Sequence, residues 1–195
     1  MKRLNLLLFA IAALLFALSC GGPRTYVNAE ADFGFYEKVG VLPFSNLSGD
    51  RNASDKVTAS FVTELLIGGQ IEIANMGDLL KAFRTTVKDD RTNLPEQLTI
   101  EEGMAIGHDA QVQGLFVGAV REYAMVRIGT EEFPLISVNI RFIDCQTGKV
   151  AWTYETTKRG GPKFPIFSFG ETHTLGEMNS KVCRGAAEDF LKKVK

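Results

Sequence analysis

The sequence predicts an α/β fold, a single domain in which a mixed β-sheet of about five strands is packed by about four helices, after a cleaved export segment. Three observations predict it. Stretches of period-two alternation and stretches of helical periodicity follow one another from residue 38 to the C-terminus. Glycine, proline or Asn/Asp/Ser turn chemistry bounds most of them. Three strand stretches are adjacent in the second half, whereas earlier ones alternate with helices, so the sheet should be mixed. A chain of 195 residues suits one domain plus an export segment, and 45% hydrophobic with 23% charged residues is an ordinary globular composition.

The first element is the export segment. Lys2 and Arg3 precede 15 apolar or nearly apolar residues, 4–18, with Asn5 the one polar member. As a helix this run rises about 22 Å, short of the ~30 Å hydrocarbon core, so it reads as a signal peptide (residues 1–19) and not as a retained span. Residues 20–32, beginning Cys20, Gly21, Gly22 and Pro23, read as a flexible tether spanning very roughly 20 Å. Residues 33–195 are the folded domain.

Within that domain, residues 38–44 (KVGVLPF) form the first strand, closed by Pro43. SNLSGDRNA is turn chemistry. Ser54 or Asp55 then caps a helix whose Val57, Phe61, Val62, Leu65 and Leu66 recur at helical spacing, and Gly68 and Gly69 end it. Ile71 and Ile73 mark a second strand. Residues 77–83 form a short helix with Leu79, Leu80 and Phe83 inward. Residues 85–98 are polar, contain Pro95 and read as an exposed loop.

Thr99 and Glu102 form a capping box, opening a helix expected to bury Ile100, Met104 and Ala105 and to end near Gly107. Residues 112–128 form a long strand. Residues 137–144 alternate, with Val138, Ile140 and Phe142 on one face and Ser137, Asn139 and Arg141 on the other. A tight turn through Thr147 and Gly148 leads to the strand 150–157. The last helix carries Leu175, Met178, Val182, Ala186 and Phe190 along one stripe, flanked by Cys183, Ala187, Leu191 and Val194.

Ala17, Leu18, Ser19 and Cys20 resemble the lipobox of bacterial lipoproteins, with Ala17 where that pattern prefers Leu. The resemblance implies that Cys20 is acylated and becomes the first residue of the mature chain, and several acyl chains make such an anchor effectively permanent. Gly21 stands where Asp would imply inner-membrane retention, so the implied destination is the outer membrane. Further on, VGVLPFSNLSG with its following helix, AIGHDAQVQGLFVGAVREY, and VNIRFIDCQTGKVAWT resemble the curli-secretion (CsgG) family and the TolB amino-terminal-like domains. These patches are spread over residues 38–195. They imply an α/β domain on the periplasmic side, working in secretion, appendage assembly or envelope scaffolding. Curli channels add long transmembrane hairpins, and a membrane-crossing strand needs ~9–11 residues with apolar side chains facing lipid. Residues 124–135 carry Arg127, Glu131 and Glu132, and residues 158–172 are broken by Gly160, Gly161, Pro162 and Pro165, so the transmembrane hairpins are expected to be missing.

Chemistry-bearing patterns are sparse. Twenty-two basic against 23 acidic residues leave a net charge of -1, no footprint for nucleic acid. HExxH, CxxC, GxSxG, Walker A and GxGxxG are absent, and His108 and His173 lie far apart, so neither a cofactor nor a metal site is expected. Asp89 and Asp90 read as solvated loop acids. Cys145 and Cys183 remain once Cys20 is lipidated, and two independent buried thiols are the expected reading over a disulfide. Phe164, Ile166, Phe167 and Phe169 form an apolar stretch between Gly161 and Gly170, a candidate contact for a partner or for another copy, with a loop folded over the core as the alternative.

The expected function is therefore a non-catalytic assembly, secretion or scaffold lipoprotein that binds other envelope proteins, itself included, and holds the membrane through acyl chains on Cys20. An activator of a peptidoglycan synthase is the alternative, which a tether of a dozen residues disfavours, and an envelope hydrolase is a third reading.

Overall fold

β-Branched and aromatic segments run side by side to give one sheet whose two faces are covered by different helices. The computed structural model describes residues 22–87, 97–161 and 171–194. In chain order the elements are β1 (Arg24–Val27), a 3-10 turn (Phe33–Phe35), β2 (Lys38–Val41), β3 (Ser45–Asn46), α1 (Ala53–Gly68), β4 (Glu72–Ile73), α2 (Met76–Thr86), α3 (Ile100–Ala110), β5 (Gly114–Ile128), β6 (Glu131–Asp144), β7 (Val150–Arg159) and α4 (Leu175–Leu191). The seven-stranded sheet has the order β1-β7-β6-β5-β2-β4, with β3 pairing β5 beyond the end of β2. β2 is parallel to both β4 and β5, while β5, β6, β7 and β1 are successively antiparallel, so the sheet is mixed as expected.

Alternation along β5 and β6 sends side chains to two cores. Phe116, Val138, Ile140 and Phe142 meet Phe61 and Leu65 of α1 and Val182, Ala186 and Phe190 of α4. Leu115, Val117 and Ile143 meet Leu79 and Phe83 of α2 and Ile106 of α3. Phe190 is the hub of the first core, its ring centroid 4.7 Å from those of Phe116 and Phe142 and 5.4 Å from that of Trp152. Such offset and edge-on pairs add about 0.5–1.5 kcal/mol each to area burial.

Five of the seven strands and all four helices match the expected order, and the last helix buries Met178, Val182, Ala186 and Phe190 of the stripe read from its spacing, with Leu175 half-buried. The differences have physical causes. Arg24–Val27, expected within the flexible tether, is an edge strand zipped antiparallel onto β7. α1 starts at Ala53 with Asn52 as N-cap, and no side chain caps it; Ser54 donates instead to the carbonyl of Phe44. Leu66, expected inward, is exposed.

α3 departs most from expectation. Its capping box is present, with Thr99 accepting from the Glu102 amide and Glu102 accepting from the Thr99 amide. However, Ile100, Met104 and Ala105 lie outward, and the buried residues are Gly103, Ile106 and Gly107. The helix presses its glycines against the sheet: a Cβ on Gly107 would collide with the Cys145 side chain, and one on Gly103 would touch Ile143. It continues to Ala110, and Gln111 closes it in the left-handed conformation at φ 54°.

β6 begins at Glu131, six residues earlier than its clean alternation suggests, and forms a long hairpin with β5. Gly129 at φ 64° is the first of two turn residues, as a type II′ hairpin turn requires. Arg121 is an extra, unpaired residue between Val120 and Glu122, a bulge that reverses the inward parity of β5. Tyr123 therefore joins the first core in place of an even-numbered neighbour.

Candidate interaction surface

Two features meet at the end of the sheet where β5 and β7 finish, and a third lies along its lateral edge. The first is the β5–β6 hairpin, whose last pairs, Met125 with Pro134 through Ile128 with Glu131, run past the end of β7, since Leu135 pairs with Arg159. Pro134 explains the stop. Its carbonyl accepts from the Gly160 amide at 2.7 Å, but with no N–H it returns no bond, and the β6–β7 ladder ends there. Met125 and Ile128 are exposed on this projection, beside Arg127 and Glu132.

The second feature is the junction leading into and out of residues 162–170. Gly160 packs against both Pro134 and the Thr172 carbonyl, where no Cβ would fit. Gly161, at φ 103°, lies against the ring of Phe133, and the His173 ring sits 5.8 Å from the same phenyl. Both ends of the segment are thus held at the base of the hairpin. Phe164, Ile166, Phe167 and Phe169 themselves lie outside the described residues, as do Cys20, Asp89 and Asp90.

The third is the β1 edge. All four of its residues are exposed, Tyr26 at 52% and Val27 at 40%. The β-branched and aromatic run Thr25, Tyr26, Val27 was the available sign of a strand, hidden by the glycines and proline before it. Arg24 lies opposite Glu155, whose carboxylate is ion-paired with Arg121 on the bulge.

Among the described residues, neither of two clefts assembles an activated nucleophile. A cleft of about 570 Å³ is lined by Phe35, Met104, His108 and Cys145 among others. His108 is almost fully exposed and pairs with Asp109 at 3.3 Å. Burial, with Asp144 adding to it, pushes the Cys145 thiol up to about 12, far from a thiolate at neutral pH. A second cleft of about 670 Å³, between the β2–α1 connection and α2, presents Arg51, Asp55 and Arg84 but no thiol or imidazole. His173 pairs with Glu171 at 3.2 Å at the hairpin base. Cys145 and Cys183 are both free and buried, one in each core, with the sheet between them. Among the described residues no group of histidines, cysteines and acids could hold a metal, and no helix is long and apolar enough to cross a membrane.

No protein-family model matches the chain, the curli-secretion (CsgG) family included, and no curated protein matches it. Solved structures do. A PelC dodecamer from Paraburkholderia phytofirmans is similar over 87% of this chain and 96% of its own, with a TM-score of 0.57 and 16% identity. A variant PelC dodecamer from the same organism gives a TM-score of 0.58 and 16% identity, over 87% of this chain and 97% of that one. The lipoprotein GNA1162 from Neisseria meningitidis is similar over 77% of this chain and 98% of its own, with a TM-score of 0.53 and 18% identity. At such identities the likeness shows a shared fold.

Proposed function

We propose that this chain is a lipid-anchored envelope protein, attached through Cys20, whose domain docks to other envelope proteins or to further copies of itself and catalyses no reaction. The observation that carries the reading is the adjacency of an acylatable cysteine, at the end of an apolar export segment, to a folded domain that projects a hairpin and an edge strand. Support comes from the fold neighbours, one described as a lipoprotein and another as a dodecamer. The periplasmic side of the outer membrane is the proposed location, from Gly21 after the cysteine. The apolar stretch Phe164, Ile166, Phe167 and Phe169, leaving from the hairpin base, is the proposed contact for a partner or for another copy.

Mass spectrometry of the mature chain tests the anchor: an N-terminal Cys20 bearing fatty acid is expected, and Met1 still in place would overturn the reading. Size measurement on detergent-solubilised protein tests assembly. Phe167→Asp should abolish oligomerisation or partner capture while leaving the thermal transition unchanged, and a variant that assembles normally would remove this contact.

A further inference from the structure

We infer that the β1 edge of the sheet lies on the surface of the membrane that carries the anchor, so that Arg24 and Tyr26 contact lipid headgroups directly. The inference rests on acylation of Cys20 and goes beyond it by giving the domain an orientation. Only Gly21, Gly22 and Pro23 separate Cys20 from Arg24, a span of at most about 14 Å even fully extended. The end of the tether expected from composition is therefore absorbed into the sheet, and the start of β1 can stand no more than about 14 Å from the anchor.

Two orientations satisfy so short a link. With β1 upright and its start toward the membrane, the hairpin points the same way. From Glu155, the partner of Arg24, to Arg159, and then from Leu135 to Glu131, the strands climb about 27 Å at ~3.4 Å per residue. The hairpin end would pass the anchor by about 13 Å and drive Glu131 and Glu132, only one of them offset by Arg127 across the ladder, into the phosphate layer. Charge opposes that arrangement. With the sheet on its edge, the same link lets β1 lie along the surface. Arg24 then meets phosphates, and Tyr26 places an apolar ring with a polar tip at headgroup depth, where such side chains concentrate. Glu155, the acid nearest that edge, is already neutralised by Arg121. Ile100, exposed on the same groove as Tyr26, extends the surface, and beside it Lys149 offsets the exposed Glu30 at 3.6 Å. The hairpin is left parallel to the membrane and free to reach a neighbour.

The test uses the full lipidated chain in vesicles of phosphatidylethanolamine and phosphatidylglycerol doped with nitroxide-labelled lipid. A thiol-reactive fluorophore is placed by Tyr26→Cys, by Ile128→Cys on the hairpin, or by Ile67→Cys on the far end of α1; the two native thiols are buried. Most of the emission from position 26 should be lost, with little loss at 128 or 67. Inserting about ten Gly/Ser residues after Gly22 should restore emission at 26 without releasing protein from the vesicles. Stronger quenching at 128 than at 26, or equal quenching at all three positions, would overturn the orientation. Protein that stays in the supernatant would overturn the acylation reading beneath it.

Discussion

The indole Nε1 of Trp152 donates to Asp189 Oδ2 at 2.8 Å, joining β7 to α4 across the edge of the aromatic core. Trp152 is fully buried and stacks on Tyr154, and the half-buried Asp189 is the acceptor that satisfies its N–H. Asp189→Ala should lower unfolding free energy by about 1–3 kcal/mol, the cost of stranding a buried donor. Asp189→Asn, which keeps an acceptor oxygen in place, should lose less. Urea denaturation of the two variants reads the difference, and equal losses would show that the contact is only steric.

Gly107 is the point of closest approach between α3 and the sheet. Alanine, normally the better helix former by about 1 kcal/mol, should here be destabilising by about 1–3 kcal/mol, because its methyl meets Cys145. Gly176, with open space around its Cβ position in α4, is the control. Gly176→Ala should be neutral or stabilising, and thermal melts of the two variants should move in opposite directions.

The start of α3 depends on Thr99. Replacing it with alanine removes the acceptor for the Glu102 amide and breaks the reciprocal pair, which should cost about 1 kcal/mol. Hydrogen exchange of the first-turn amides of α3 should quicken in Thr99→Ala while the α4 amides stay protected.

Alkaline pH should unfold the protein through its thiols. Burial pushes both Cys145 and Cys183 from an ordinary value of 9.0 up to about 12. Above pH 9 the unfolded chain loses thiol protons that the folded chain keeps, so the unfolded state binds fewer protons and stability falls as pH rises. The contribution is intact below pH 9 and is lost progressively toward pH 12. Cys183→Ala should flatten that decline in denaturant midpoints measured across the range. Neither native thiol should react with a maleimide until denaturant is added.

Much of the fold was legible because apolar side chains at regular spacing announce their own burial, as along α4 from Met178 to Phe190. Elements that bury little side chain were harder to read. α3 packs through Gly103, Ile106 and Gly107, of which only Ile106 carries a hydrophobic signal, so apolar periodicity points to the opposite face. The Arg121 bulge defeats any single alternation along β5. Pro134 and two glutamates argue locally against strand, yet Pro134 falls where the β7 ladder stops and its missing N–H costs nothing. Of the proposed interaction surface, the apolar stretch from Phe164 to Phe169, outside the described residues, was read from the sequence alone. The hairpin at its base and the β1 edge depend on pairings between residues far apart in the chain, Arg24 with Glu155 and Leu135 with Arg159.

Under the proposed attachment at Cys20, β1 would also fix how mechanical load enters the domain. In a chain tied to a bilayer at Cys20, any pull between the membrane and a docked neighbour passes first through four residues hydrogen-bonded to β7. A tug directed along β1 would stress those bonds together, in shear, whereas a tug directed away from the sheet edge would peel them one at a time. The direction from which a partner pulls would then decide whether the anchor strand holds or strips away.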